Sequence, residues 1–465
     1  MLLKEISWLH TNLPYPLLKL WGASDKVVNL TRKLAFGGDG YKEKYRQLLE
    51  MEGWPLDRIY AWQYDKLRKL LDHAYENVPF YGELWRKAGI KPADIKSLSD
   101  IRKLPVITKD DLCENEGRFF ASNIDPKSLI PKYSSGTTGR PGRFYYDERR
   151  LASVWATYLY FGKMMGFVQG KDKALRISLF GKEMFMLTNS HLRFSDYSPL
   201  LKHALFPPMP LEKAFRVYVK FIKRHGIRYV EGHPSVLYAF SKYAAEENER
   251  IAFGTARTGG EVLYGFQRRS IEKVFGCEVF DSYGTSEAVI RANECYAHKG
   301  MHISPFGIGE VLEGGFSGRG EFVFTGLENY GFPLIRFNVK DVVRISTRTC
   351  TCGRAYPRIM DVVGRKNDFV VLPDGKRLSP SQFAWLSVII PGIKDIFFLQ
   401  HRDFSIDVLV VGEKGADKNS IKGLIEKKLR RILKGGTSFE IIFKEHIERK
   451  GLKYTRIESR AVQSK

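Results

Sequence analysis

At 465 residues the chain exceeds what one hydrophobic core normally supports, so two or three domains are expected. Apolar content of 43% with 13% aromatics excludes a disordered chain, and no apolar run approaches the roughly 20 residues of a membrane span. The net charge of +23 is scattered, with clusters at 427–431 and 449–453 but no stripe or motif for nucleic acid; contact with an anionic membrane face, contact with polysaccharide machinery and a merely basic proteome all stay open.

The amino terminus, Met1-Leu2-Leu3-Lys4-Glu5-Ile6, lacks the continuous apolar stretch of a signal peptide, so the cytosol is the expected compartment. Residues 1–125 read as helical and polar. An amphipathic stretch covers 14–35, and Leu67, Leu70, Leu71 and Ala74 recur at helical spacing before a break near Pro79. Leu129-Ile130 and Arg143-Phe144-Tyr145-Tyr146 flank a loop, Ser134-Ser135-Gly136-Thr137-Thr138-Gly139-Arg140-Pro141, rich in glycine and hydroxyls. Glycine lets successive backbone amides converge on an anion, hydroxyls add donors, and Arg140 can hold a phosphate bidentately. Read by itself, the same composition also suits a surface turn.

From 132 to 280 strand-like runs alternate with helical ones: strands at 174–180, 228–231 and 278–280, helices at 211–224, 235–247 and 268–275. Such alternation predicts a largely parallel, helix-covered sheet with ligands beyond the carboxyl ends of its strands. The strand-like 250–253 precedes Gly259-Gly260-Glu261, and 278–281 leads directly into Ser282-Tyr283-Gly284-Thr285-Ser286-Glu287. Residues 306–347 read as β-rich, with turn signals at Glu313-Gly314-Gly315 and Gly318-Arg319-Gly320, and Asp341 reads as a turn residue before a strand at 342–345. Past Arg365 the pattern resets to strands at 395–400, 405–411 and 438–444 around a helix at 420–433, a compact α+β unit.

Five cysteines are too few and too irregular for a disulfide scaffold. Cys113 and Cys277 read as isolated thiols. Cys295, His302, Cys350 and Cys352 supply the soft donors of a closed structural zinc site, with His298 competing as the nitrogen ligand and reduced, unliganded thiols as the alternative.

The ordered set of motifs resembles the adenylate-forming superfamily of acyl-CoA synthetases and ligases. The loop at 134–141 is similar to its phosphate-binding signature. Asp281 to Glu287, Gly320-Glu321-Phe322-Val323-Phe324-Thr325, Pro333 to Asp341, Gly364-Arg365-Lys366-Asn367-Asp368 and Gly451-Leu452-Lys453-Tyr454-Thr455-Arg456 resemble its successive core motifs, in order. His73-Ala74-Tyr75-Glu76-Asn77-Val78-Pro79-Phe80-Tyr81, Leu104-Pro105-Val106-Ile107-Thr108-Lys109 and Cys350-Thr351-Cys352-Gly353-Arg354 are most similar to the phenylacetate–CoA ligase branch, including its relatives from capsular polysaccharide loci.

The resemblance implies an α/β fold: a large N-terminal adenylation domain (1–366) with helix-covered sheets and a β-rich subdomain, and a small mobile C-terminal α+β domain (367–465). It implies ATP-dependent activation of a carboxylic acid to an acyl-adenylate, then transfer to coenzyme A; a sugar, amine or carrier protein as acceptor, or a non-catalytic nucleotide- or acyl-binding module, are the rival readings. By the same resemblance Ser134, Ser135, Gly136, Thr137, Thr138, Gly139 and Arg140 cradle phosphate. Tyr283 stacks on adenine, Ser286 contacts the α-phosphate and Glu287 holds Mg²⁺. Gly260, Glu261, Asp281, Gly284 and Thr285 line the nucleotide site, and Asp341 accepts the ribose hydroxyls. Arg365 contacts ribose or phosphate, Asn367 is the pivot, and Lys453 is the catalytic lysine. Gly259-Gly260-Glu261 resembles the acyl-pocket wall, joined by Phe180, Gly181, His233, Pro234 and Tyr283. The sequence departs from the usual Y-R-T-G-D at Asn338 and Lys340, from the hinge Asp at Asn367, and from the usual G-K at Gly451-Leu452-Lys453.

Overall fold

The structure is a computed structural model that describes residues 40–133, 142–167, 172, 174–177, 184–187, 211–285, 287, 290–365, 369–375, 377–378, 383, 386, 390, 392–413, 415–433, 437–447 and 457–461. The loop at 134–141, Ser286, Lys366-Asn367-Asp368, Lys453 and the amphipathic stretch at 14–35 lie outside them, as do Phe180 and Gly181.

Helices α1 (Gly40–Glu50), α2 (Leu56–Asn77), α3 (Pro79–Lys87) and α4 (Lys109–Glu114) open the described chain. The apolar spacing on α2 buries Leu67, Leu70, Leu71 and Ala74. It stops because Val78 is extended, the conformation a following proline imposes, and Pro79 then starts α3 where a missing N–H costs nothing. Strands β1 (Ile130–Tyr133) and β2 (Arg143–Tyr146) pair antiparallel, closing the hairpin that carries the 134–141 loop. Helix α5 (Glu148–Met164) follows at once, capped by Asp147, whose side chain accepts the Arg150 N–H at 2.8 Å.

Next come β3 (Ala174–Ile177), β4 (Met184–Leu187), α6 (Leu211–His225), β5 (Tyr229–Gly232), α7 (Pro234–Glu246), β6 (Thr255–Thr258), α8 (Gly265–Phe275) and β7 (Glu278–Phe280). They form the expected sheet, in the order β4-β3-β5-β6-β7, parallel from β3 to β7 with β4 antiparallel at the edge. Leu175, Ile177, Val230, Ala256 and Val279 on one face pack against Phe215, Phe240, Ile271 and Phe275 of the helices. One expectation is corrected here: residues 250–253 are not a strand, because the β-strand that leads into Gly259 is Thr255–Thr258.

A seven-stranded sheet follows: β8 (Ser282–Gly284), β9 (Arg291–Glu294), β10 (Met301–Ile303), β11 (Gly307–Val311), β12 (Gly318–Gly326), β13 (Phe337–Ser346) and β14 (Arg358–Arg365), ordered β11-β12-β13-β14-β10-β9-β8. Its apolar face joins α2 and α3 in a core that includes Trp85, Phe119, Phe322, Phe324 and Phe337. Two turn readings change. Gly318-Arg319-Gly320 starts β12 and is not a turn; Asp341 lies inside β13, opposite Arg365 of β14, not ahead of a strand. Both residues sit where polar composition disguised a strand whose pairing partner is distant in sequence.

The short pair β15 (Val370–Val371) and β16 (Arg377–Leu378) precedes β17 (Ile393–Gln400), β18 (Ile406–Gly412), α9 (Lys418–Leu433), β19 (Phe439–Phe443) and β20 (Ile457–Ser459). Strands β17 to β20 order as β19-β18-β17-β20. Ile421, Ile425, Leu429 and Leu433, one stripe of α9, share a separate core with Ile396, Phe398, Val408 and Val410. That is the α+β unit read from the sequence. Among the described residues no helix is long and apolar enough to cross a membrane.

Candidate functional site

The carboxyl ends of β5, β6 and β7 meet the first strand of the seven-stranded sheet at one place. Thr258 ends β6, its Oγ1 donates to Asp281 Oδ1 at 2.7 Å, and its carbonyl accepts from Ser282 Oγ at 2.5 Å. Gly259 and Gly260 continue from it. A methyl group on Gly259 would lie 2.5 Å from Ser282 Oγ, and one on Gly260, where φ is +83°, 2.6 Å from the His233 ring. Both backbones therefore need glycine to approach so closely. Glu261 follows, accepting the Ser235 N–H at the start of α7 through Oε2 at 3.2 Å.

Tyr283, on β8, donates from its hydroxyl to Asp341 Oδ2 at 2.7 Å and sets its ring at 75° to Phe322. Two residues 58 positions apart, each assigned to the nucleotide by resemblance, are thus in direct contact. Gly284 ends β8; Thr285 and half-buried Glu287 follow in the turn to β9. Three buried polar atoms near these strand ends, Ser235 Oγ, Glu261 Oε1 and Thr285 Oγ1, have no hydrogen-bond partner among the described residues. Orphaned groups are costly in a protein interior, so a polar ligand has donors and acceptors to satisfy here. Arg365 closes β14 opposite Asp341.

Behind the site lies a charge network that the sequence did not announce. Arg268 of α8 donates from Nη2 to both oxygens of Glu294 at 2.9 Å, and Glu294 accepts the Asp281 N–H at 3.0 Å and lies 3.1 Å from His298 Nδ1. Burial, then the nearby Glu294 charge, pushes the Asp281 carboxyl up to about 7. A raised carboxyl pKa means the folded state keeps a proton that the unfolded state has lost. This contribution to stability is full below the unfolded value of about 4 and is lost as pH rises through 7. Asp281→Asn, which fixes the neutral form, should flatten the pH dependence of the melting temperature across that window. An unchanged slope would place the titration elsewhere.

The segment that presents Asp341 is held from below. Tyr81 donates to the Pro333 carbonyl at 3.1 Å and accepts the Ile335 N–H at 2.9 Å, while His73 Nε2 lies 2.9 Å from the Tyr330 carbonyl. These residues of the His73–Tyr81 motif therefore position β13. Within it, Lys340 adopts φ +61°, the left-handed region suited to the glycine of the resembling motif. Asn338 compensates: its Oδ1 accepts the Lys340 N–H at 2.7 Å and its Nδ2 donates to Glu321 Oε2 at 2.9 Å.

The cysteine cluster is separate. Cys295 follows β9, His302 is on β10, and Cys350 and Cys352 occupy the turn from β13 to β14, whose Gly353 has φ +87°. Strand β10 pairs with both β9 and β14, which brings the two turns together. The four ligand atoms lie within 4.8 Å of one another; Cys295 Sγ is 3.9 Å from Cys350 Sγ, and Cys352 Sγ is 3.4 Å from His302 Nε2. A tetrahedral zinc with thiolate bonds near 2.3 Å sets ligand separations of about 3.5–3.8 Å. Burial, aided by Arg358 and Arg354, pushes His302 down to about 3, leaving a neutral imidazole that can ligate. Of the two histidines, His302 lies among the thiols, whereas His298 faces Glu294.

No protein-family model matches the chain. It is 27% identical over 383 residues to a phenylacetate–coenzyme A ligase of Aromatoleum evansii, covering 76% of this chain and 81% of that protein. It is 22% identical over 410 residues to Protein CapK of Staphylococcus aureus, covering 87% and 88%. Among solved structures, a 2-hydroxyisobutyryl-CoA ligase in the postadenylation state, bound to an R3-HIB-AMP adduct, superposes with a TM-score of 0.68 at 18% identity, covering 88% of this chain and 91% of that one. The similarity to the phenylacetate–coenzyme A ligase covers most of the chain, and the fold is shared with the 2-hydroxyisobutyryl-CoA ligase.

Proposed function

We propose that this chain is an ATP-dependent acid–CoA ligase. In the first step a carboxylate oxygen attacks the α-phosphorus of ATP, the bond to the bridging oxygen breaks, and pyrophosphate leaves with the electron pair. In the second step the CoA thiolate attacks the acyl carbon and AMP departs. The observation that carries this reading is the Tyr283–Asp341 contact at the carboxyl ends of the parallel strands, because an aromatic ring beside a carboxylate acceptor is what a purine riboside needs. Ser235, Glu261 and Thr285, with their unpartnered atoms, and the similarity to phenylacetate–coenzyme A ligase support it. The 134–140 residues would hold the phosphates, with Ser286 at the α-phosphate. We place the division of the chain after 366, so that residues 367–465 rotate between the steps and carry Lys453 in and out.

Pyrophosphate exchange into ATP over a panel of carboxylic acids tests the reading. Acid-dependent exchange, followed by CoA-dependent thioester formation, is expected; exchange without any response to CoA would assign a different acceptor, and no exchange would sink adenylation itself.

Glu287 would hold Mg²⁺, which neutralises charge on the polyphosphate; a hard cation bridging phosphates takes one or two carboxylates plus water. Glu287→Gln should raise the Mg²⁺ concentration needed for half-maximal exchange by about tenfold, since a charge is lost without a change in shape. Unaltered kinetics at limiting Mg²⁺ would remove Glu287 from the site.

The Cys295, His302, Cys350 and Cys352 cluster would hold a structural zinc, pinning the β9–β10 hairpin to the β13–β14 turn. Purified protein should carry about one zinc per chain, and Cys352→Ser should release it and lower the melting temperature. Protein prepared without chelator that holds no metal would return these thiols to the reduced, unliganded state.

A further inference from the structure

The parallel sheet turns one face to its helices α6, α7 and α8, and that face is apolar. The opposite face, toward α5, carries three charges in a row. Arg176 on β3 is in register with Glu231 on β5, and Glu231 with Arg257 on β6. Glu231 is shared: Arg176 Nε lies 3.9 Å from Oε1, Arg257 Nη1 lies 4.0 Å from Oε2, and the Tyr158 hydroxyl donates to Oε2 at 2.9 Å. Both guanidinium groups thus face the Glu231 carboxylate.

Arg257 is the member that matters. It is 7% exposed, its guanidinium lies 4.8 Å from the centre of the Tyr158 ring, and among the described residues its hydrogen bond runs from Nη2 to Asn293 Oδ1 at 2.8 Å. Of its five N–H donors, one has an acceptor among the described residues; the 4.0 Å approach to Glu231 is an ion pair too long for a hydrogen bond, and Nε is buried with no partner among them. A buried, under-satisfied charge of this kind is expensive unless something pairs with it.

Its position says what that is. Arg257 precedes Thr258, which bonds Asp281 and Ser282, and its partner Asn293 is the register partner of Ser282, next to Tyr283. Thr255 Oγ1 donates to the Met165 carbonyl just past the end of α5, whereas Arg257 meets Tyr158, which lies earlier in that helix. Helix α5 therefore runs against the strands, and its amino-terminal end lies toward the same strand ends as the nucleotide motif. Arg257 sits where the sheet, α5 and the β8–β9 hairpin converge.

The geometry points to Arg257 as the specificity residue for an acid with a second anionic group: the substrate is a dicarboxylic acid whose non-reacting carboxylate pairs with this guanidinium while the other is adenylated. This rests on the adenylation reading above. Among the described residues the Arg257 guanidinium keeps N–H donors without an acceptor; these match a carboxylate in charge and in fork geometry, and a monocarboxylic acid of equal length does not supply one.

The test uses matched pairs, hexanoate against adipate and phenylacetate against 4-carboxyphenylacetate, in pyrophosphate exchange with the full chain. The dicarboxylate of at least one pair should show the higher kcat/KM. Arg257→Leu should lower that value by roughly 10²-fold, since losing a buried charged hydrogen bond costs this much or more, and leave the KM for ATP unchanged. Preference for the monocarboxylate in both pairs, or equal loss for both members of a pair, overturns the proposal. If Arg257→Leu does not fold, Glu231→Gln decides: removing the competing carboxylate should lower KM for the dicarboxylate and not for its partner, and no difference overturns it. If no acid supports exchange, adenylation fails separately, and calorimetric titration with adipate and 4-carboxyphenylacetate decides Arg257. Saturable binding lost in Arg257→Leu sustains the role, and absence of binding overturns it.

Discussion

Lys453→Ala is expected to slow acyl-adenylate formation by about 10²–10³-fold, the cost of removing one charged stabiliser from a developing anionic transition state, while transfer from a supplied acyl-adenylate to CoA stays nearly unchanged. Only the first step brings a carboxylate against a polyphosphate, so only that step needs an ammonium to neutralise both reactants. Lys453 lies outside the described residues; Ile457–Ser459, further along the chain, pairs with β17 in the C-terminal sheet. The two half-reactions measured separately check this. Equal loss in both would make Lys453 a structural residue, and loss in neither a solvated one.

Arg336→Leu should destabilise the protein by about 3–5 kcal/mol, the usual cost of breaking a buried ion pair from one side. Arg336 and Glu310 are 5% and 1% exposed. Arg336 Nε donates to Glu310 Oε1 at 3.0 Å, Nη2 adds a second bond to the same oxygen, and Nη1 donates to the carbonyls of Arg102, at 2.9 Å, and Leu104. Burial already pushes the Glu310 carboxyl up against the pull of Arg336, so the variant strands a charge in the core. Adding Glu310→Leu should recover much of the loss in urea denaturation. A single-variant loss under about 1 kcal/mol would mean that water reaches the pair.

The parallel sheet was legible because its strands are short apolar runs between amphipathic helices, a local pattern. The Cys295, His302, Cys350 and Cys352 set was legible from donor chemistry, although choosing His302 over His298 needed the β10 pairings to β9 and β14. Asp341 was read as a turn residue ahead of a strand at 342–345; only the register with β14 shows the strand passing through it. Strand 255–258 was hidden by its composition, Thr255-Ala256-Arg257-Thr258, whose polar side chains point at α5 and the Asp281 network. Arg257 had no signal at all. Its meaning comes from Arg176 and Glu231, one on each of the two preceding strands of the parallel run, and alternation along any single strand does not reveal a row across three.

Lys340 and Asn338 differ from the resembling motif at two positions, yet the hydrogen bond between them makes the two changes interdependent. A side chain at 340 has to live with φ +61°, and what steadies that backbone is the carboxamide of Asn338. With glycine at 340 the backbone would not need that acceptor; with lysine at φ +61° it does. Change between the two forms of the motif is therefore easiest in one order, with asparagine arriving first and departing last. Related sequences that carry a non-glycine residue at the 340 position should hold a short side-chain acceptor two residues upstream, while those with glycine are free to vary there.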